Sequence, residues 1–91
     1  MKGVRLVIEG RVQGVAYRDW TQRRAESLGL GGWVRNRRDG TVEAVFTGDE
    51  AAVDQMVEAC RDGPPAAAVT AVRIVSWDES PEVDFAILST Q

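Results

Sequence analysis

The chain predicts a two-layer α+β sandwich: helices on one face of a mainly antiparallel sheet, built in the order β-α-β-β-α-β with a short extra strand at the end. Three observations carry that expectation. Strand-like runs alternate with two helical segments. An Asp-Gly pair at 39–40 joins the second and third strand-like runs directly. The segment after the third run repeats its apolar residues with clear helical spacing.

The elements follow in order. Val4, Leu6 and Ile8 alternate with Arg5, Val7 and Glu9, giving a strand with one strongly apolar face. Residues 18–29 form a weaker helix with Trp20, Ala25 and Leu28 toward one side, and Gly29 with the pair Gly31-Gly32 is expected to stop it. "WVRNR" and "TVEAVF" flank "RDG", a hairpin signal because Asp and Gly tolerate positive φ. In "TGDEAAVDQMVEACRDG", Val53, Met56, Val57 and Cys60 fall at i, i+3, i+4 and i+7, the stripe of an amphipathic helix. Thr47 and Glu50 suit a capping box; Gly63 and the Pro64-Pro65 pair end the helix. "AVRIVSW" is a fourth strand, and "VDFAIL" a short fifth with Val83, Phe85 and Ile87 on one face. This is the split βαβ, ferredoxin-like order. Its first two strands run the same way with the third between them, so the loop Gly10–Arg18 and Asn36 are expected at one edge of the sheet.

Composition narrows the chemistry. The 91 residues suit one domain, 1–91, with a self-sufficient core, and the Met1 start and length favour a free-standing protein over one domain cut from a larger one. One cysteine and no histidine exclude an internal disulfide, a multi-Cys zinc site and any His-based triad or general base. No apolar run approaches the ~20 residues of a membrane span and the N-terminus turns polar too early for a signal peptide, so a cytosolic protein is expected. Residues 1–38 hold nine Lys/Arg against three Asp/Glu, and residues 39–91 two against eleven. Either the first half carries a local anion site or the two halves balance across the folded surface.

"EGRVQGVAYRDW", residues 9–20, decides which chemistry to test. Two glycines interrupt the end of the first strand, and Arg18 stands where a helix begins, against the helix dipole. Glycines let successive N–H groups converge on an anion, to which a helix start adds donors and an arginine a bidentate clamp. Alternatively, Gly10 and Gly14 serve only the turn, and Arg18 pairs with Asp19, Glu9 or a more distant carboxylate. No Gly-Lys-Ser/Thr follows, so this is not a Walker loop. Asn36 by itself could equally satisfy a backbone group near the hairpin, and Arg35, Arg37 and Arg38 could be an anion-drawing rim or purely structural.

"GRVQGVAYR" at 10–18, "GLGGWVRNRRDGTVEAVFTG" at 29–48, "GPP" at 63–65 and "DFAIL" at 84–88 together resemble the acylphosphatase family over nearly the whole chain. The resemblance implies the ferredoxin-like α/β sandwich. It also implies hydrolysis of carboxyl-phosphate mixed anhydrides to a carboxylate and inorganic phosphate. Carried over residue by residue, the phosphate-binding loop falls on Arg11, Val12, Gln13, Gly14, Val15, Ala16 and Tyr17, with Arg18 both clamping phosphate and catalytic, and Asn36 catalytic. The partners implied are a small acyl phosphate and, as product-like ligands, phosphate or sulfate. No metal, cofactor, nucleic acid or membrane is called for, and a monomer is expected. Tyr17 replaces the phenylalanine of many members, so its hydroxyl needs a partner. Ala68 stands where a basic residue is common after "GPP", and "LSTQ" lacks the aromatic or basic ending of some members.

A non-catalytic anion-binding module on the same fold is a second possibility. An RNA-binding domain is disfavoured, because Leu6, Ile8, Val42, Val45 and the single aromatic Phe46 make no stacking platform.

Overall fold

A computed structural model describes all residues, Met1–Gln91. The elements are β1 (Lys2–Arg11), α1 (Tyr17–Ser27), β2 (Gly31–Asn36), β3 (Val42–Gly48), α2 (Glu50–Asp62), β4 (Ala68–Ser76) and β5 (Phe85–Ile87). The sheet order is β4-β1-β3-β2-β5; every pairing is antiparallel except β2 with β5. The expected ferredoxin-like sandwich is therefore present, with β5 extending the sheet beyond β2. No helix is long and apolar enough to cross a membrane.

Alternation in β1 and β3 makes one face apolar: Val4, Leu6, Ile8, Val42, Ala44 and Phe46 are fully buried under the helices. Against them α2 packs the predicted stripe of Val53, Met56, Val57 and Cys60. α1 contributes less apolar surface, Tyr17, Thr21 and Ala25, and ends in a Schellman turn. Gly29 takes φ 70° there, while the Leu30 N–H reaches the Ala25 carbonyl at 2.9 Å.

Three expectations are corrected, and one open alternative is resolved. Gly31 and Gly32 do not stop α1; both lie in β2, where any Cβ on Gly32 would collide with the backbone of Val45. Thr47 and Glu50 form no capping box. Asp49 is the N-cap, without a side-chain cap bond, and the Thr47 hydroxyl instead accepts the Glu82 N–H at 2.9 Å. Val83 does not share a face with Phe85: it precedes β5 and is 95% exposed, whereas Phe85 stacks on Phe46 in the core. For Arg35 the structural alternative holds. On the helix-free face its Nε donates to Glu43 at 2.8 Å, Arg5 donates to the same carboxylate at 3.1 Å, and both guanidinium groups lie over Trp33.

That helix-free face is crossed by the segment joining β4 to β5, because the two strands lie at opposite edges of the sheet. The strap passes over Gly3, Thr47 and Gly31, which are cross-strand neighbours at one end of the sheet. A Cβ on Gly31 would overlap the Glu82 carbonyl oxygen, and one on Gly3 that of Glu79. Gly31→Ala should therefore cost about 1–3 kcal/mol by overpacking, with the opposite end of the sheet undisturbed. A urea midpoint equal to that of the parent would show that the strap is free to lift.

Candidate active site

At the end of the sheet away from the strap, β1 leaves Arg11 and enters a loop whose side chains divide. Val12, Val15 and Tyr17 turn into the core. Gln13, Gly14, Ala16 and Arg18 do not. Apolar anchors thus fix the loop from below and leave its backbone free above. Gly14 has φ 73°, in open space. Ala16, the N-cap of α1, has φ 64° and ψ 25°, a left-handed conformation that costs a residue with a Cβ roughly 1–2 kcal/mol. Ala16 offers no capping side chain. The N–H groups from Val12 to Asp19 donate to no acceptor in the protein; the first bond of the helix is Trp20 N–H to the Ala16 carbonyl.

Tyr17 shows how the loop is held. Its ring rests on Gly63, where any side chain would strike it, and its hydroxyl donates to the Cys60 carbonyl at 2.7 Å. The normal donor to that carbonyl, four residues on, is Pro64, which has no N–H. The tyrosine hydroxyl thus satisfies a helix-end carbonyl that a phenylalanine would leave open. Burial pushes the Tyr17 hydroxyl above the usual phenol range and the Cys60 thiol up to about 12. Both stay protonated at neutral pH, so Cys60 offers no thiolate nucleophile.

Arg18 lies in the first turn of α1. Neither predicted carboxylate partner takes it: Asp19 pairs with Arg23 at 2.8 Å and Glu9 with Arg73 at 2.7 Å. Arg18 has no carboxylate within ion-pair distance. It lines a cleft of about 250 Å³ with Val12, Gly14, Ala16, Tyr17, Asp19, Asn36 and Ile87. Asn36, the last residue of β2, enters from the other side, and its Oδ1 is buried with no hydrogen-bond partner. The Asn36 side chain thus makes no bond through Oδ1 that would tie down the hairpin. Its main-chain carbonyl accepts the Gln91 N–H at 3.1 Å, and the Arg38 N–H donates to the Gln91 carbonyl at 2.7 Å, so the tail steadies this strand end.

The topology thus brings Val12, Gly14, Ala16, Tyr17, Arg18 and Asn36 together. Arg11 is exposed and outside the cleft lining, Val15 is a buried anchor, and Gln13 points its amide to the hairpin. Ile87 and Asp19 also line the cleft, although the sequence pattern places neither in the site. The i,i+4 spacing of Asp19 and Arg23 was the available signal that Asp19 would turn from Arg18. A broader groove of about 470 Å³ opens beside the strap, but its cation, Lys2, is bound to Asp54 and lies over Trp77. No cluster of three or more His, Cys, Asp or Glu side chains stands in position to hold a metal ion.

Fold and cleft define a small ferredoxin-like α/β sandwich in which one unpaired, half-buried arginine lines a cleft together with a loop whose N–H groups find no acceptor in the protein. The chain belongs to the acylphosphatase family: the family model described as Acylphosphatase matches residues 4–87. A Rhodospirillum rubrum protein named acylphosphatase is 60% identical over 74 residues, covering 81% of each chain. One from Rhodopseudomonas palustris is 52% identical over 91 residues, covering 93% of this chain and 92% of its own. The crystal structure of acylphosphatase from Bacillus subtilis superposes with a TM-score of 0.91 at 38% identity, over 97% of this chain and 99% of that one.

Proposed function

We propose that the chain hydrolyses acyl phosphates, with the phosphoryl group seated on the Arg11–Tyr17 loop and Arg18, and a water placed in line by Asn36. The observation that carries this reading is the pairing of two unspent resources in one cleft. A loop whose N–H groups find no acceptor in the protein and an unpaired guanidinium line one side, and Asn36, whose side-chain oxygen has no hydrogen-bond partner, lines the other. Ordinarily, buried polar atoms have partners.

The chemistry asks for positioning and charge stabilisation more than for activation, because a carboxylate is already a good leaving group. Loop N–H groups and Arg18 hold the non-bridging oxygens as they gain charge. The Asn36 amide orients the water, whose oxygen attacks phosphorus as the bond from phosphorus to the acyl oxygen breaks. An amide is a poor base, so the proton of the water passes to the phosphoryl oxygens of the substrate. The products are a carboxylate and inorganic phosphate. Both lips of the cleft come from one chain, which supports action as a monomer.

The test is release of phosphate from benzoyl phosphate, with and without EDTA. Phosphate and benzoate should appear in equal amounts at a rate unchanged by chelation, since the charge opposite the substrate comes from Arg18. No release would leave an anion-binding module, and loss on chelation with recovery in magnesium would require a carboxylate-bound metal in the mechanism.

A further inference from the structure

One side chain of the loop faces away from the cleft and toward the hairpin. The Gln13 Nε2 donates to two main-chain carbonyls, Arg37 at 2.7 Å and Thr41 at 2.9 Å. These residues bracket the β2–β3 turn and are themselves joined, Arg37 N–H to Thr41 carbonyl at 2.9 Å. Arg37 directly follows Asn36, and Asn36 stands opposite Val42 in the ladder. The amide therefore spans the two elements that form the lips of the cleft.

From this geometry we infer that Gln13 is a positioning residue: it fixes the distance between the anion-receptive loop and Asn36. Its catalytic consequence rests on the acyl-phosphate reading above; its mechanical consequence does not. Each of the two N–H groups of the amide serves one carbonyl, so no shorter or singly donating side chain reproduces the bridge. The Asn36 Oδ1 makes no hydrogen bond of its own, so its place is set through the backbone of its strand end. On one flank that backbone is held by Gln91 and on the other by Gln13. Without the bridge the hairpin can move relative to the loop. Small misplacements of a reacting group cost up to about 10²-fold in rate.

The experiment uses Gln13→Met, which keeps length and removes both donors, alone and combined with Asn36→Ala. Amide hydrogen exchange at Arg37 and Gly40, both bonded within the turn, should accelerate at least severalfold in Gln13→Met, with exchange in β1 and α2 unchanged. On benzoyl phosphate, Gln13→Met should lower kcat by roughly ten- to a hundredfold and leave inhibition by phosphate within about threefold. In the Asn36→Ala background the same substitution should have little further effect on kcat, because its effect passes through Asn36. Unchanged exchange at the turn would overturn the bridge whatever the activity. A kcat loss of equal factor in both backgrounds would overturn its action through Asn36. If the parent protein hydrolyses no acyl phosphate, that reading fails, and hydrogen exchange alone decides the bridge.

Discussion

Arg18→Ala should lower kcat/KM for benzoyl phosphate by about 10²–10³-fold, the range for loss of one preorganised donor to a charge-gathering oxygen. It should also weaken inhibition by inorganic phosphate. Both effects follow from its position. The guanidinium lines the cleft with no competing carboxylate, because Asp19 and Glu9 are taken by Arg23 and Arg73. In the proposed mechanism its contact with phosphate is made in the ground state as well as in the transition state. The side chain is not part of the core, so stability should move by less than about 2 kcal/mol. Steady-state kinetics, phosphate inhibition and urea melts decide it. Parent-like phosphate inhibition would move the anion away from Arg18. Arg18→Lys should recover only part of the loss, since an ammonium cannot make the planar bidentate contact.

Asn36→Ala should separate turnover from binding. We expect kcat to fall by about 10²-fold or more, because the proposed mechanism gives this residue the task of orienting the water. Phosphate inhibition should stay near the parent value, since the loop and Arg18 are intact. The stability outcome is also informative. Asn36 Oδ1 is buried without a partner, and such a group costs about 1–3 kcal/mol. Removing it should leave the urea midpoint unchanged or raise it, the sign expected where a site is kept for function at the expense of stability. A variant with near-normal kcat would remove Asn36 from the mechanism. A large drop in stability would mean that its amide oxygen is satisfied after all.

The two halves of this site differ in how openly the sequence declares them. The fold was readable because alternation in β1 and β3 and the α2 stripe are local patterns, and the Asp39-Gly40 turn sets the β2–β3 pairing. The common edge shared by the loop and Asn36 followed from strand order alone. What escaped were pairings set by distant segments. Thr47 and Glu50 have the spacing of a capping box, yet the strap claims the Thr47 hydroxyl. Phe85 and Ile87 looked like a face continued from Val83, whereas pairing with β2 begins only at Phe85. Arg35 sits in a basic run that resembles a rim, but strand alternation sends it to the helix-free face beside Glu43. Gln13 reads as one more polar loop residue, since nothing local announces acceptors on Arg37 and Thr41. Ala16 hides its left-handed backbone behind a residue type that rarely adopts one.

The strap between β4 and β5 has a consequence for how the molecule forms. Because it carries the chain from one edge of the sheet to the other, β1 pairs with β4, placing Arg5 opposite Ser76, and β2 pairs with β5, placing Gly32 opposite Phe85. Only the β2–β3 hairpin closes over a short loop. The remaining ladders require distant parts of the chain to meet before any bond rewards them, and such high contact order places folding of β-rich domains on a millisecond-to-second scale. The lips of the cleft belong to different stages of that process. Asn36 and its turn can form early and locally. The loop from Val12 to Arg18 is anchored only when Tyr17 finds Gly63 and the Cys60 carbonyl across α2. The anion site proposed above is therefore expected to be completed late in folding, when the two helices dock.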